Sequence, residues 1–294
     1  MRLSHISMPF LAVGLACGLL ASSSAVAQDA ESRLTQTITQ IEQTLDARVG
    51  LHIHDSATGW TVTHRPNERF LMASTFKAML CGAVLSRVDK GTLALDEPLE
   101  ITEQDILEYA PITESEIGKT MSLGELCFAA LDLSDNTAAN LLIDRLGGPH
   151  EVTAFLRAIG DPVSRLDRRE PDLNTFTPGD PRDTTTPAAM ASTLETLLAG
   201  DALSPQSRAQ LVKWMSAGGV TGALIRASTP KGWQVADKSG SGAYNRNIVA
   251  MVTPPDQSPY VITMFLSDAD ADFATRNAAV ITLSKAVMDV VTSR

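Results

Sequence analysis

The sequence predicts an α+β fold, with one antiparallel sheet of about five strands built from both chain ends and an all-α region inserted between them. Three observations carry this. Short alternating segments occur near the N-terminus, at Val49–His54 and Trp60–His64. They return after Gly219, at Gln234–Ala236, Ile248–Thr253 and Tyr260–Leu266. Nearly everything between has helical period.

Taken in order, Glu31–Ala47 spaces Leu34, Ile38, Ile41 and Leu45 along one face of an amphipathic helix. Ser56-Ala57-Thr58-Gly59 is a turn, so the first two strands form a hairpin. Ser74–Val88 is a largely apolar run, the candidate core helix. Helical signals follow at Leu123–Leu131, Thr137–Leu146, Glu151–Ile159, Pro187–Leu198 and Pro205–Met215. Asp161–Thr186, rich in Asp, Arg, Pro and Thr, is a long loop, and loops of that length in compact domains tend to be functional. Pro254-Pro255-Asp256 turns the chain between the last two strands, and Asp272–Val291 closes it as a helix.

Arg2, the apolar Pro9–Leu20 stretch and the small residues Ala25-Val26-Ala27 have the pattern of a secretory leader cleaved before Gln28. Residues 1–27 are therefore expected to be removed, and the protein to be exported to the periplasm or secreted. Gly14 stands where a lipidation signal at Cys17 would want a branched residue, so no anchor is expected. The chain carries 24 Lys plus Arg against 34 Asp plus Glu; losing Arg2 leaves 23 against 34, a net charge of −11. An acidic chain without basic runs argues against nucleic acid and anionic membranes as partners. It says little about a small-molecule substrate, and a monomer is the default expectation. Cys81 and Cys127 remain after processing, and an even count in an exported protein suggests one disulfide, with two buried thiols as the alternative. His52 and His54 share a strand face but have no third ligand nearby; no metal and no cofactor is expected.

Ser74-Thr-Phe-Lys77 opens the apolar helix and puts a hydroxyl and an amine on one face. A desolvated amine can take the proton that makes a hydroxyl nucleophilic. Alone the motif is weak, since Ser-x-x-Lys arises by chance about once in a chain of this length. A capping serine and a solvated lysine would look the same. Ser134-Asp135-Asn136 lies between two helical segments, and Lys238-Ser239-Gly240 ends a strand. Each has an ordinary reading, helix capping for the first and turn chemistry for the second. Each is expected in only about one chain in 20 to 50, and together and in this order they outweigh coincidence.

The three elements resemble those of the class A serine β-lactamases, within the penicillin-recognising enzymes. Ser239 stands where threonine is usual in that family. Glu170-Pro171-Asp172-Leu173-Asn174 in the long loop resembles the family's Glu-x-x-Leu-Asn element, and the positions of Cys81 and Cys127 match its disulfide. The resemblance implies an α/β/α sandwich of β-lactamase/transpeptidase type. Residues 28–72 and 218–294 would form a discontinuous α/β domain and 73–217 the all-α domain, including the 161–186 loop, with the site between them. It implies Ser74 as nucleophile, Lys77 or a Glu170-bound water as its base, and Ser134 as proton donor to the leaving nitrogen. The Ser74 and Ser241 N–H groups would form the oxyanion hole. Asn136 would meet the substrate's side-chain amide, Lys238, Ser239 and Ser241 its carboxylate, and Glu170 with Asn174 the deacylating water. Arg168 and Asp183 would close the loop as an ion pair. The turn after Gly240 is short for the family, which makes Arg246 the candidate carboxylate-binding arginine. Tyr109 would flank the cleft, and Ser241 and Glu108 would border it.

The implied substrate is a β-lactam, the implied reaction its hydrolysis. Two alternatives share much of this chemistry. A D-alanyl-D-alanine peptidase would release penicillin slowly, and a non-catalytic β-lactam sensor module would be expected to come with a transmembrane segment. Glu170 favours turnover.

Overall fold

The computed structural model describes residues 16–175 and 177–294, with side chains from Val26 onward. Arg2 and most of the Pro9–Leu20 stretch of the expected leader lie outside the described residues. Helix α1 (Ala16–Leu45) runs through the Ala27–Gln28 junction without a break.

The strands of the main sheet are β1 (Arg48–Asp55), β2 (Thr61–His64), β3 (Gln234–Ser241), β4 (Arg246–Thr253) and β5 (Tyr260–Ser267), in the order β2-β1-β5-β4-β3, all antiparallel; two short two-stranded pairs, Phe70–Leu71 with Thr184–Thr185 and Pro98–Glu100 with Thr120–Ser122, lie outside it. Both chain ends thus enter one sheet, as the alternating segments predict. β1 lies between β2 and β5, with Leu51 opposite both His64 and Met264.

Side-chain alternation decides what covers each face. Val49, Leu51, Ile53, Ile248, Ala250 and Val252 point into an apolar layer with Leu34 and Ile38 of α1 and Val280, Leu283 and Val287 of α9 (Phe273–Thr292). Ala236, Val249, Met251, Val261 and Phe265 point the other way, into the layer of the inserted helices. These are α2 (Phe76–Asp89), α3 (Leu123–Asp132), α4 (Asn136–Leu146), α5 (Pro149–Ala158), α6 (Pro187–Leu198) and α7 (Pro205–Met215), with a single turn α8 (Ile225–Ser228) before the sheet resumes. A sheet apolar on both faces must be covered on both, and the result is a three-layer α/β/α sandwich.

Every residue of α2 from Phe76 to Ser86 is buried. Each fully buried side chain such as Met79, Leu80 or Leu85 contributes about 1.5–3 kcal/mol. α6 and α7 both begin with Pro at the first helical position, after Thr186 and Ser204 caps that accept from Ala189 N and Ser207 N.

The expected disulfide is corrected. Cys81 and Cys127 are free, buried thiols. The Cys81 Sγ is directed at the Cys127 carbonyl oxygen, 3.7 Å away. Burial, helped by the neighbouring Cys81, raises the Cys127 thiol well above its usual range.

Candidate active site

The site lies where β3, the start of α2, the α3–α4 junction and the long loop meet. Ser74, half-buried, sits in a 3₁₀ turn (Ala73–Thr75) that leads into α2. Ala73 adopts φ +44°, a left-handed conformation that costs a non-glycine residue on the order of 1 kcal/mol or more. The surroundings hold it there. Asn247 Nδ2 donates to the carbonyls of Leu71 (2.9 Å) and Met72 (3.1 Å), and Thr75 Oγ1 donates to Met72 O at 2.8 Å. β3 presses on this turn through Gly240. A Cβ there would stand 2.8 Å from Met72 O and 3.1 Å from the nitrogens of both Ser74 and Thr75. Only glycine lets the strand come this close to the Ser74 and Thr75 nitrogens.

Ser134 also has positive φ, +63°. The capping reading of its motif is true as well, but it belongs to Asp135. That buried carboxylate accepts from Ala138 N (2.8 Å), Ile112 N (3.0 Å), Thr113 N (2.9 Å) and Thr113 Oγ1 (2.9 Å). It thereby caps α4 and pins the preceding loop, leaving the side chains of Ser134 and Asn136 free to face Lys77. Lys77, with no exposed side-chain surface, donates to Ser134 O (2.8 Å), Asn136 Oδ1 (2.6 Å) and, more weakly, Ser134 Oγ (3.4 Å). Its Nζ stands 3.3 Å from Glu170 Oε1. Lys238 Nζ reaches Ser134 Oγ at 3.0 Å and Ser239 O at 2.9 Å. Burial lowers both lysines; the Glu170 charge opposes this at Lys77, whereas the like charge of Lys77 deepens it at Lys238.

The long loop delivers Glu170. Asn140 of α4 clamps its backbone from both sides, Nδ2 to Glu170 O at 2.8 Å and Glu170 N to Oδ1 at 3.0 Å. Asn174 Nδ2 donates to Glu170 Oε2 at 2.5 Å. Glu170 Oε1 and Asn174 Oδ1 are buried acceptors without a hydrogen-bond donor among the described residues. Asp183 accepts from Arg168 Nε (2.5 Å) and from the N–H groups of Asp167 (2.7 Å) and Arg168 (2.9 Å). Its own carbonyl takes Met72 N, so the loop base is bonded to the nucleophile turn.

These groups open on a cleft of about 430 Å³ lined by Ser74, Ser134, Asn136, Asn174, Ser239 and Arg246 among others. Tyr109, 48% exposed, stands at its rim, while Glu108 is exposed outside the lining. Ser241 lines the cleft, but its hydroxyl donates to Asn245 O at 3.3 Å. Arg246 is buried. Its Nε donates to Asn277 Oδ1 (3.0 Å), its Nη1 to Gly240 O (3.3 Å), and its guanidinium lies over the Phe273 ring. Burial, aided by the Arg276 charge, lowers it to about 10. A larger cavity, about 950 Å³, lies against the 175–182 stretch, where Arg48 pairs with Glu68 and Asp268, and Arg182 with Asp180. It holds none of the nucleophile's neighbours.

Asn140, Asn247, Asn277 and Phe273 are contributors that sequence reasoning missed. The asparagines act through backbone or side-chain partners distant in sequence, and no local pattern marks them. Phe273, an aromatic residue opening an amphipathic helix beside its cap, did carry a faint signal.

The model of the β-lactamase enzyme family matches residues 33–291. A β-lactamase of Rhodobacter capsulatus is 50% identical over 291 residues, 99% of either chain. Among solved structures, a β-lactamase of Xanthomonas campestris pv. campestris superposes with a TM-score of 0.86 at 46% identity, covering 89% of this chain and 98% of that one. An ancestral class A β-lactamase superposes with a TM-score of 0.83 at 49% identity, covering 86% and 98%.

Proposed function

The chain belongs to the β-lactamase enzyme family as a class A hydrolase that opens the β-lactam amide and gives antibiotic resistance, and from that premise we propose how its residues do so. Ser74 Oγ attacks the lactam carbonyl carbon. The developing oxyanion is met by the N–H groups of Ser74 and Ser241, each such donor being worth roughly 3 kcal/mol. As the C–N bond breaks, Ser134 gives its proton to the nitrogen, with Lys77 and Lys238 holding its oxygen. The ester left on Ser74 is then attacked by a water that loses its proton to Glu170. Cleavage of the ester returns a proton to Ser74 and frees the product acid.

The observation that carries this reading is the Glu170–Asn174 pair. Two buried acceptors, Asn174 Oδ1 and Glu170 Oε1, the latter with the Lys77 ammonium 3.3 Å away as its charge partner, suit a water between them. The surroundings of Lys77 support a second assignment. Its N–H bonds go to Ser134 O and Asn136 Oδ1, and the Glu170 carboxylate stands 3.3 Å away as an ion-pair partner, which favours the ammonium in the resting enzyme. Glu170 is then the base for acylation too; the proton it takes passes by way of Lys77 Nζ, 3.3 Å from Glu170 Oε1 and 3.4 Å from Ser134 Oγ, to replace the one Ser134 gives up, which leaves Glu170 a carboxylate for deacylation. With its oxygen turned to Lys77, Asn136 has its amide N–H groups for the substrate side chain. Ser239 and Arg246 receive the substrate carboxylate, and Tyr109 borders the acyl side.

We further propose the domain division at residues 72/73 and 217/218, export with cleavage near Ala27–Gln28, and a monomer. No helix among the described residues is long and apolar enough to cross a membrane.

The test is turnover of a chromogenic cephalosporin over many equivalents. Steady turnover is expected from the wild type, whereas a single stoichiometric burst would mark a peptidase or sensor. Glu170→Ala should stall with an acyl adduct on Ser74 visible by mass spectrometry. Normal turnover by that variant would remove the role given to Glu170.

A further inference from the structure

Phe273 is a large apolar side chain that belongs to neither apolar layer of the sandwich. It opens α9, immediately after Asp272, whose carboxylate accepts from Thr275 N at 2.8 Å and fixes the start of the helix. Its ring is 53% exposed, yet it lines the catalytic cleft together with Ser74, Ser239, Ser241 and Arg246. The Arg246 guanidinium carbon lies 5.3 Å from the ring centroid, within cation–π range. One turn along the same helix, Asn277 Oδ1 receives Arg246 Nε. Ring and guanidinium are therefore held as a unit by α9 and β4. Arg246 Nη2 is the guanidinium nitrogen without an acceptor among the described residues, the one available to a ligand.

We propose that Phe273 is a specificity-determining residue, an aromatic platform for the substituent on the substrate carbon next to the one bearing the carboxylate. This rests on the reading of Arg246 as a carboxylate ligand. The geometry is short-range. In a cephalosporin, the first atom of the C3 substituent is three bonds from the carboxylate carbon, about 3 Å away. A carboxylate on Arg246 thus puts that substituent beside the ring that the guanidinium covers. Penicillins carry only methyl groups in the corresponding place and offer the ring little area. Cephalosporins with a flat, apolar C3 group offer a stacking partner, and aromatic pairs add to what buried area alone contributes. The platform therefore discriminates among substrates by what they carry at C3, on the side of the cleft away from the acyl side chain.

The experiment compares wild type, Phe273→Ala and Phe273→Trp on two cephalosporins with the same acyl side chain, one carrying a 3-arylvinyl group and the other a 3-methyl group. The ratio of their kcat/KM values should fall about fivefold in Phe273→Ala, carried by KM, and be retained in Phe273→Trp. A ratio within twofold of wild type in Phe273→Ala overturns the proposal, including the case where both substrates weaken equally because the ring only orders Arg246. Thermal melts of both variants show that they fold. Arg246→Ala is run alongside and should raise KM for both cephalosporins and for benzylpenicillin. An unchanged KM there would refute the carboxylate reading, and the Phe273 ratio would still be judged by itself.

Discussion

Gly240→Ala tests whether the contact between β3 and the nucleophile turn sets the catalytic geometry. The added Cβ would lie 2.8 Å from Met72 O, against an ordinary contact of 3.4 Å or more. Something must retreat by about 0.5 Å, since packed interiors have no slack for it. Met72 O is the wrong atom to move. It accepts from Thr75 Oγ1 at 2.8 Å and Asn247 Nδ2 at 3.1 Å, on a turn already held at the positive φ of Ala73. The strand should move instead, carrying the Ser241 N–H away from the Ser74 N–H. Overpacking costs about 1–3 kcal/mol of stability. The catalytic effect is separate. A donor displaced by about 0.5 Å leaves the 2.7–3.1 Å window for a developing oxyanion, a loss of roughly 100-fold. Because that charge appears only in the transition state, the loss should fall on kcat. Steady-state kinetics on a chromogenic cephalosporin, with a thermal melt beside it, gives both numbers. A folded variant with kcat within threefold of wild type would refute the reasoning.

Other outcomes follow from the same contacts. Asp183→Asn sets an amide against Arg168 and weakens a pair whose acid is buried and whose base is partly exposed. A loss of about 2–3 kcal/mol, lowering Tm by about 4–10 °C, should accompany a wider range of accepted substrates. A melt and a substrate profile matching wild type would remove that role. Lys238 has its pKa lowered by burial and by Lys77, so it loses its charge below the ordinary lysine range as pH rises, and kcat/KM should fall there. In Lys238→Arg the guanidinium stays charged, and that alkaline limb should move up by about one pH unit or more. An identical pH–rate profile in the variant would exclude Lys238 as the titrating group.

Much of the fold was legible because local chemistry and tertiary structure agree. Pro187 and Pro205, each behind a Ser or Thr cap, mark helix starts that packing leaves in place. β3 is longer than Gln234–Ala236, because Lys238-Ser239-Gly240 has the composition of a turn, yet pairs with Val249, Ile248 and Asn247. Only the close approach to Ser74 explains that glycine, and a single strand cannot reveal its neighbour. The pairing of Phe70–Leu71 with Thr184–Thr185 was invisible for a related reason, since two residues carry no period. At the site, residues with distinctive chemistry were readable, whereas Asn140 and Asn247, which hold backbone in place, were not. The even cysteine count suggested a bond, but the Cys81 thiol is occupied by a carbonyl in the buried helix pair.

The sheet order has a consequence for biosynthesis. β1 is flanked by β2 and by β5, whose residues are made more than 200 positions later. Such long-range pairing is slow to form and leaves an edge open to misassociation until its partner arrives. The nucleophile turn waits on the same event, because its brace, Asn247, and its neighbour, Gly240, belong to the late strands. A nascent or truncated chain therefore carries Ser74 without the late-strand residues that contact its turn. The proposed catalytic geometry therefore needs both ends of the chain, since the residues that brace the Ser74 turn come from strands made last.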